Sequence, residues 1–218
     1  MEKNIIVIAG SPAARQSNSE SLANYMAGRL TERSCAVTPL SLRAAMPSPQ
    51  GLLEQVKNAD VLVLSVPLYE NSLPGLVVAF FEMLLEHRAE LSGKSRDLFV
   101  IGNSGFAEPR ELDSLLEHCR LFAREMGFRW IGGLAVSPGT LIDGKKLEET
   151  GGTYKKVMAT LDTAADMISR GEDVSEYLGR QPARPLIAPF MYRLVGRLIQ
   201  NSTIKKLGKA AYFARPLI

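Results

Sequence analysis

The sequence predicts a doubly wound α/β domain, a parallel sheet of five strands with helices on both faces. Three observations predict it. Short apolar runs of strand length alternate with longer segments of helical periodicity along residues 4–170. The run Val61-Leu62-Val63-Leu64-Ser65-Val66 is apolar on both faces, as a strand covered by helices on each side must be. Polar loops rich in small residues follow the first, third and fourth strands, at the edge where open α/β sheets place ligands.

Residues 4–9 are an apolar run of strand length, and Ser17-Asn18-Ser19 then supply polar caps for a helix over about 19–32. Its Leu22, Tyr25, Met26 and Leu30 recur at helical spacing. A weaker strand is expected near 36–41, then a loop with Pro47 and Pro49 and a short helix near 50–58. The strand 61–66 leads through Pro74 into a long apolar helix over 75–90, carrying Phe80, Phe81, Met83, Leu84 and Leu85. Leu98 to Gly102 form the fourth strand, and a polar loop from Asn103 to Pro109 enters a helix over 109–126. Trp130 to Val136 read as the fifth strand. An amphipathic helix over 149–170 follows, with Val157, Leu161, Ala164, Ala165 and Ile168 on one stripe. Right-handed crossovers leave two main strand orders, 2-1-3-4-5 and 3-2-1-4-5, and both put ligands beyond the carboxyl ends of the strands.

The chain divides into a domain over residues 1–178 and an extension over 179–218. Its net charge of +3 hides an asymmetry: residues 180–218 carry eight Lys and Arg and no Asp or Glu, so residues 1–179 carry −5. Within the extension, Ile187, Phe190, Met191, Leu194, Val195, Leu198 and Ile199 recur at helical spacing beside Arg193 and Arg197. This is a basic amphipathic helix, expected to pack on the body or on a second subunit in preference to a membrane surface.

No apolar run reaches the ~18 residues of a bilayer span. Lys3 runs directly into the first strand without a secretory pattern, so a cytoplasmic protein is expected. Cys35 and Cys119 form no CxxC pair, and His87 and His118 have no partners at ligand spacing, which argues against a zinc or iron–sulfur centre. A nucleic-acid partner is not expected either.

The loop Gly10-Ser11-Pro12-Ala13-Ala14-Arg15-Gln16-Ser17-Asn18-Ser19 is neither GxGxxG nor GxxxxGK[ST], which argues against a dinucleotide fingerprint and a P-loop. It is rich in hydroxyls and ends at a helix amino terminus, where free N–H groups and the helix dipole favour a phosphate. Gly10-Ser11-Pro12 with Ser17-Asn18-Ser19 resembles the phosphate loop, GSPR-x-x-SNS or GSPR-x-x-GNT, of the flavodoxin-like NAD(P)H-dependent FMN reductases and quinone reductases. The arginine often found after the proline there is Ala13 here, with Arg15 two places on. The stretch Pro67-Leu68-Tyr69-Glu70-Asn71-Ser72-Leu73-Pro74 is similar to that family's ring-binding loop, except that its usual lysine falls near Val78. The third loop, Asn103-Ser104-Gly105-Phe106-Ala107-Glu108, is similar to its N-S-G-F-x-E segment.

The resemblance spans about residues 4–170. It implies the strand order 2-1-3-4-5 and FMN as cofactor, with NADPH or NADH as electron donor and a quinone, flavin or similar small molecule as acceptor. It implies FMN-binding roles for Ser11, Ser17, Asn18 and Ser19 at the phosphate. At the ring it implies roles for Pro67, Leu68, Tyr69, Glu70, Asn71, Ser72, Asn103, Ser104, Gly105 and Phe106. Tyr69 and Phe106 would be pocket walls, with Asn71, Ser72 and Ser104 as donors. No catalytic side chain is expected, since the flavin carries the chemistry. Dimers are common in that family, so a homodimer or higher homo-oligomer is expected. The rival reading is an FMN-binding electron carrier that does not turn over NAD(P)H.

Overall fold

A computed structural model describes residues 3–14 and 16–179, and beyond them Leu186, Tyr192, Leu194, Gly196, Arg197, Asn201, Ile204 and Lys205. Five parallel strands, β1 (Asn4–Ala9), β2 (Ala36–Ser41), β3 (Val61–Pro67), β4 (Asp97–Asn103) and β5 (Arg129–Val136), pair in the order β2-β1-β3-β4-β5. This is the flavodoxin-like order of the two that the sequence leaves open. The central position of β3 explains why every one of its residues is buried. β2 is an edge strand and half exposed, which is why it tolerates Pro39 opposite Val7.

Helices α1 (Asn18–Thr31) and α7 (Lys155–Arg170) cover one face, whose core includes Val7, Val63, Phe99 and Ile131. The other face lies under α3 (Pro49–Asn58), α4 (Gly75–Glu86) and α6 (Asp113–Met126), packed on Ile8, Leu62, Leu64 and Val100. Successive strand residues thus feed opposite cores, as the pleat requires. Phe81 of α4 stacks on Phe122 of α6 at 3.7 Å between centroids. On the other face the Tyr25 hydroxyl donates to Asp162 of α7 at 2.9 Å, and burial, followed by that carboxylate, pushes its pKa up to about 12.

Several boundaries differ from expectation. The short helix α2 (Leu42–Ala45) directly after β2 is not legible in the periodicity. The helix expected over 75–90 stops at Glu86. There the His87 ring nitrogen lies 2.9 Å from the Met83 carbonyl, and a separate turn, α5 (Arg88–Leu91), follows. The helix expected from residue 109 begins as a single tight 3₁₀ turn, Pro109–Leu112, before α6. The one expected from residue 149 begins only at Lys155, because Gly151, at φ +68°, and Gly152 intervene. A last turn, α8 (Ser175–Gly179), closes over β5.

Arg96, just before β4, is buried with its guanidinium among carbonyls. It donates to Val56 and Lys57 at the end of α3 (2.9 and 2.7 Å) and to Leu91 and Lys94 (2.5 and 2.9 Å). One side chain thereby satisfies the carboxyl ends of two helices. Burial alone pushes the Cys119 thiol up to about 12, so at neutral pH it behaves as a core hydrophobe.

The amphipathic stripe expected over 185–199 falls mostly outside the described residues. Of that region Tyr192, Leu194, Gly196 and Arg197 are helical. Among the described residues no helix is long and apolar enough to cross a membrane.

Candidate functional site

The parallel order sends the loops after β1, β3, β4 and β5 to one edge of the sheet, where they enclose a cleft of about 520 Å³. Ser11, Ser17, Asn18, Ser19, Pro67, Leu68, Tyr69, Asn103, Ser104 and Gly105 line it together. These are ten of the residues singled out from the sequence. Glu70, Asn71, Ser72 and Phe106 are not among its lining.

At one end stands the amino terminus of α1. Ser17 is its N-cap, with the side-chain oxygen accepting from the Glu20 N–H at 3.2 Å. Ser11 is buried and accepts from the Ala13 N–H at 3.3 Å. Both hydroxyls keep their protons to donate. Asn18 accepts from the Gly144 N–H at 3.0 Å through its side-chain oxygen, so its NH₂ group remains a donor at the helix terminus. Ser19 is buried, and its Oγ accepts from the Asn103 side chain at 2.8 Å, so its hydroxyl too keeps a proton to donate while Asn103 fixes its position. Ala13 lines the cleft where the resembling loops often carry arginine, and Arg15 lies outside the described residues.

Asn103 ties the site together. It is the last residue of β4, only 3% exposed, and its amide also donates to the Val66 carbonyl at 3.1 Å. Its own carbonyl accepts from the Leu68 N–H at 2.8 Å. One side chain and its backbone thus register β4 against α1 and against the loop after β3.

In the second loop, Tyr69 and Ser72 exchange both backbone bonds, N–H to carbonyl at 3.0 and 2.8 Å. Between them Glu70 and Asn71 have φ of +47° and +59°. The tight turn carries Glu70 and Asn71 away from the cleft and leaves Tyr69 standing 46% exposed at its rim. Ser72 faces a separate apolar groove between α4 and α6, with Val78, Leu85, Phe81 and Phe122. Val78 occupies the place of the family's lysine, and no cation lines that groove among the described residues. In the third loop Gly105 allows close approach: a Cβ there would sit 3.3 Å from the Thr140 methyl. Phe106 is 43% exposed outside the lining, and its carbonyl accepts from Ser137 Oγ at 2.6 Å.

Sequence reasoning missed a fourth wall, the loop after β5, which contributes Thr140, Asp143 and Gly144, and it also missed Gln16. The signal was available, since any loop leaving a carboxyl end in this order reaches the same edge, and Pro138-Gly139 marks a turn there. Gly144, at φ +68°, packs where a Cβ would meet the Gln16 carbonyl at 2.8 Å, so only glycine closes this wall on the first loop. Tyr154 is fully buried and donates to the Pro138 carbonyl at 2.6 Å from below. Burial pushes its pKa up to about 12, so it stays a donor. Among the described residues no group of three or more His, Cys, Asp or Glu is placed to hold a metal ion.

A β2-β1-β3-β4-β5 sheet whose carboxyl edge carries a cleft lined by a hydroxyl-bearing helix terminus and an aromatic defines the class: a flavodoxin-like α/β protein with its cleft where open α/β sheets bind ligands. Residues 3–137, more than half the chain, match the NADPH-dependent FMN reductase family. The chain belongs to that family: it is an oxidoreductase whose cofactors are FMN and a nicotinamide nucleotide.

Solved structures agree on the fold. An NADH:FMN oxidoreductase in its apo form is 20% identical over 86% of this chain and 96% of its own, with a TM-score of 0.56. An FMN-dependent NADH-azoreductase from Bacillus anthracis in complex with FMN is 13% identical, covering 78% and 100%, at 0.54. An NADPH-quinone reductase from P. pentosaceus is 17% identical, covering 76% and 98%, at 0.53. No curated protein matches the sequence.

Proposed function

We propose that this protein takes two electrons from NADH or NADPH and passes them through FMN to a small acceptor such as a quinone, a flavin, or an azo or nitro compound. One observation carries the reading. The same cleft pairs a hydroxyl-lined helix amino terminus with a rim tyrosine and the small pair Ser104-Gly105, so a phosphate and a flat ring each meet a matching end. The volume of about 520 Å³ suits a mononucleotide.

In this reading Ser11, Ser17 and Asn18 hold the phosphate by hydrogen bonds added to the α1 dipole, without a described cation among the lining residues. Pro67, Leu68 and Tyr69 form an apolar wall for the ring, and Ser104 and Gly105 bring backbone to its polar edge. Ser19 and Asn103 position the loops. Glu70, Asn71, Ser72 and Phe106 stand outside the cleft lining, and Tyr69 stands exposed at its rim. FMN held by these residues would supply the redox chemistry between the nicotinamide and the acceptor. The chain's residues orient it and restrict water. Assembly as a homodimer is supported by the apolar groove of Val78, Leu85, Phe81 and Phe122, which leaves Val78 and Leu85 exposed.

The test is the visible spectrum of the protein after addition of FMN and removal of excess, then anaerobic NADH or NADPH. Retained bands that bleach with a nucleotide support the reading, and re-oxidation by candidate quinones and azo dyes then ranks acceptors. Retained bands that neither nucleotide bleaches point to the electron carrier instead.

A further inference from the structure

We infer that Ser104 meets the flavin as a hydrogen-bond acceptor and reads N3–H, the one N–H of the oxidised ring. The inference rests on FMN occupying the cleft as proposed above. It reverses the donor role that the resemblance implies for Ser104.

Hydrogen-bond counting carries it. A serine hydroxyl has one proton to give and two lone pairs. The Ser137 hydroxyl gives its proton to the Phe106 carbonyl at 2.6 Å, and a carbonyl can only accept. Ser137 Oγ also lies 3.1 Å from Ser104 Oγ. With the Ser137 proton spent, Ser104 is the donor of that bond. The direction of the relay is therefore fixed, from Ser104 to Ser137 to the Phe106 carbonyl. Both serines are buried, which strengthens the two bonds and shields them from water.

The backbone of Ser104 is engaged as well. Its N–H donates to the Val136 carbonyl at 3.3 Å, and its carbonyl accepts from the Gly139 N–H at 2.6 Å. Asn103 spends both amide protons inward, on Ser19 Oγ and the Val66 carbonyl. Its remaining oxygen lies toward Gly139, where a Cβ would stand 3.4 Å away. The head of this loop thus has no side-chain proton to offer. Ser104 lines the cleft, and what it has left for a ligand is a lone pair of Oγ.

The polar edge of a flavin carries two carbonyl oxygens with N3–H between them. A lone pair set against either carbonyl leaves two acceptors unpaired, whereas against N3–H it completes a bond. The relay therefore selects a ring that keeps its N3 proton. Ser137 is outside the cleft lining and is the positioning residue, since it acts by holding the Ser104 proton away from the ligand.

The experiment is fluorescence titration of the flavin-free protein with FMN and with N3-methylated FMN. The parent is expected to bind the methylated flavin about tenfold more weakly. Ser104→Ala should weaken FMN by about tenfold and leave the methylated flavin nearly unchanged. Ser137→Ala lets the Ser104 proton turn into the cleft and should narrow the ratio several-fold. On the parent alone, ¹⁵N-labelled FMN should show an N3–H proton protected from exchange with water. Equal affinity of the parent for the two flavins, or a freely exchanging N3–H, overturns the inference. So does Ser104→Ala that gains the methylated flavin without losing FMN, since the serine then only fills space, or Ser137→Ala with the parent's ratio. In each of these cases bound FMN leaves the proposed function standing. Failure of the parent to bind either flavin overturns both.

Discussion

Replacing Asn103 by alanine should loosen the site and the sheet together. The native amide is 3% exposed and donates to Ser19 Oγ at 2.8 Å and to the Val66 carbonyl at 3.1 Å. Each net hydrogen bond is worth about 1 kcal/mol, and a buried acceptor left without its donor raises the cost toward 1–3 kcal/mol. Ser19 can rotate to another partner and Val66 cannot, so the expected total is about 2–3 kcal/mol. For a chain of this size that lowers the melting temperature by roughly 5–10 °C. The assay is urea unfolding of the flavin-free protein, where the midpoint should fall with an unchanged m-value. Asn103→Asp sharpens the test. It keeps the shape but sets a carboxylate oxygen against the Val66 carbonyl, so above about pH 5 it should be worse than alanine. In acid, where the protonated carboxyl regains one donor, it should recover. A loss below about 0.5 kcal/mol for Asn103→Ala, or an aspartate as stable as asparagine at pH 7, would refute the linking role.

Arg96→Met removes a buried guanidinium donating to four carbonyls, and several kcal/mol of stability should go with it in a denaturant titration, without change in flavin affinity of the folded fraction. Ser17→Ala should cost about 1 kcal/mol as a lost N-cap. If the phosphate sits at α1, the same change should weaken FMN more than riboflavin in fluorescence titrations, and equal weakening of both would move the phosphate elsewhere. Tyr154→Phe should cost about 1 kcal/mol and weaken flavin binding through the loop after β5, which the same titrations measure. Burial opposes ionisation of Asp60, but the Lys94 ammonium and the Asn4 N–H outweigh it, and its pKa lies below the usual value. A depressed folded pKa contributes stability above the unfolded value, lost as pH falls through the folded one. Asp60→Asn should therefore flatten the decline in stability below about pH 4 in pH-dependent unfolding.

The legible parts of this molecule are those that repeat or punctuate. The doubly apolar run 61–66 announced the central strand, and Ser17-Asn18-Ser19 announced the start of α1 within a residue. What stayed hidden depends on distance. That Ser19 would be taken up by Asn103, eighty-four positions away, is a property of β-pairing and not of either loop. The displacement of Glu70 and Asn71 from the cleft follows from two positive φ angles, which neither residue announces as glycine would. His87 ended α4 through a side-chain contact with the Met83 carbonyl, and periodicity cannot register such a contact. The wall after β5 was overlooked although its position was predictable, because Thr140, Asp143 and Gly144 spell no motif.

That fourth wall also sets an order of events in time. Thr140, Asp143 and Gly144 follow the last strand of the sheet, and Gly144 meets Asn18 across 126 positions of chain. A polypeptide emerging amino end first therefore presents the loop after β1 early and its finished cleft late. The cofactor can be latched only after the sheet's far edge has paired. Flavin retention then reports a completed fold, and the mass-action stabilisation it brings falls only on chains that have reached completion. A chain ending at Val136 should hold no flavin, and one ending at Gly179 should hold it.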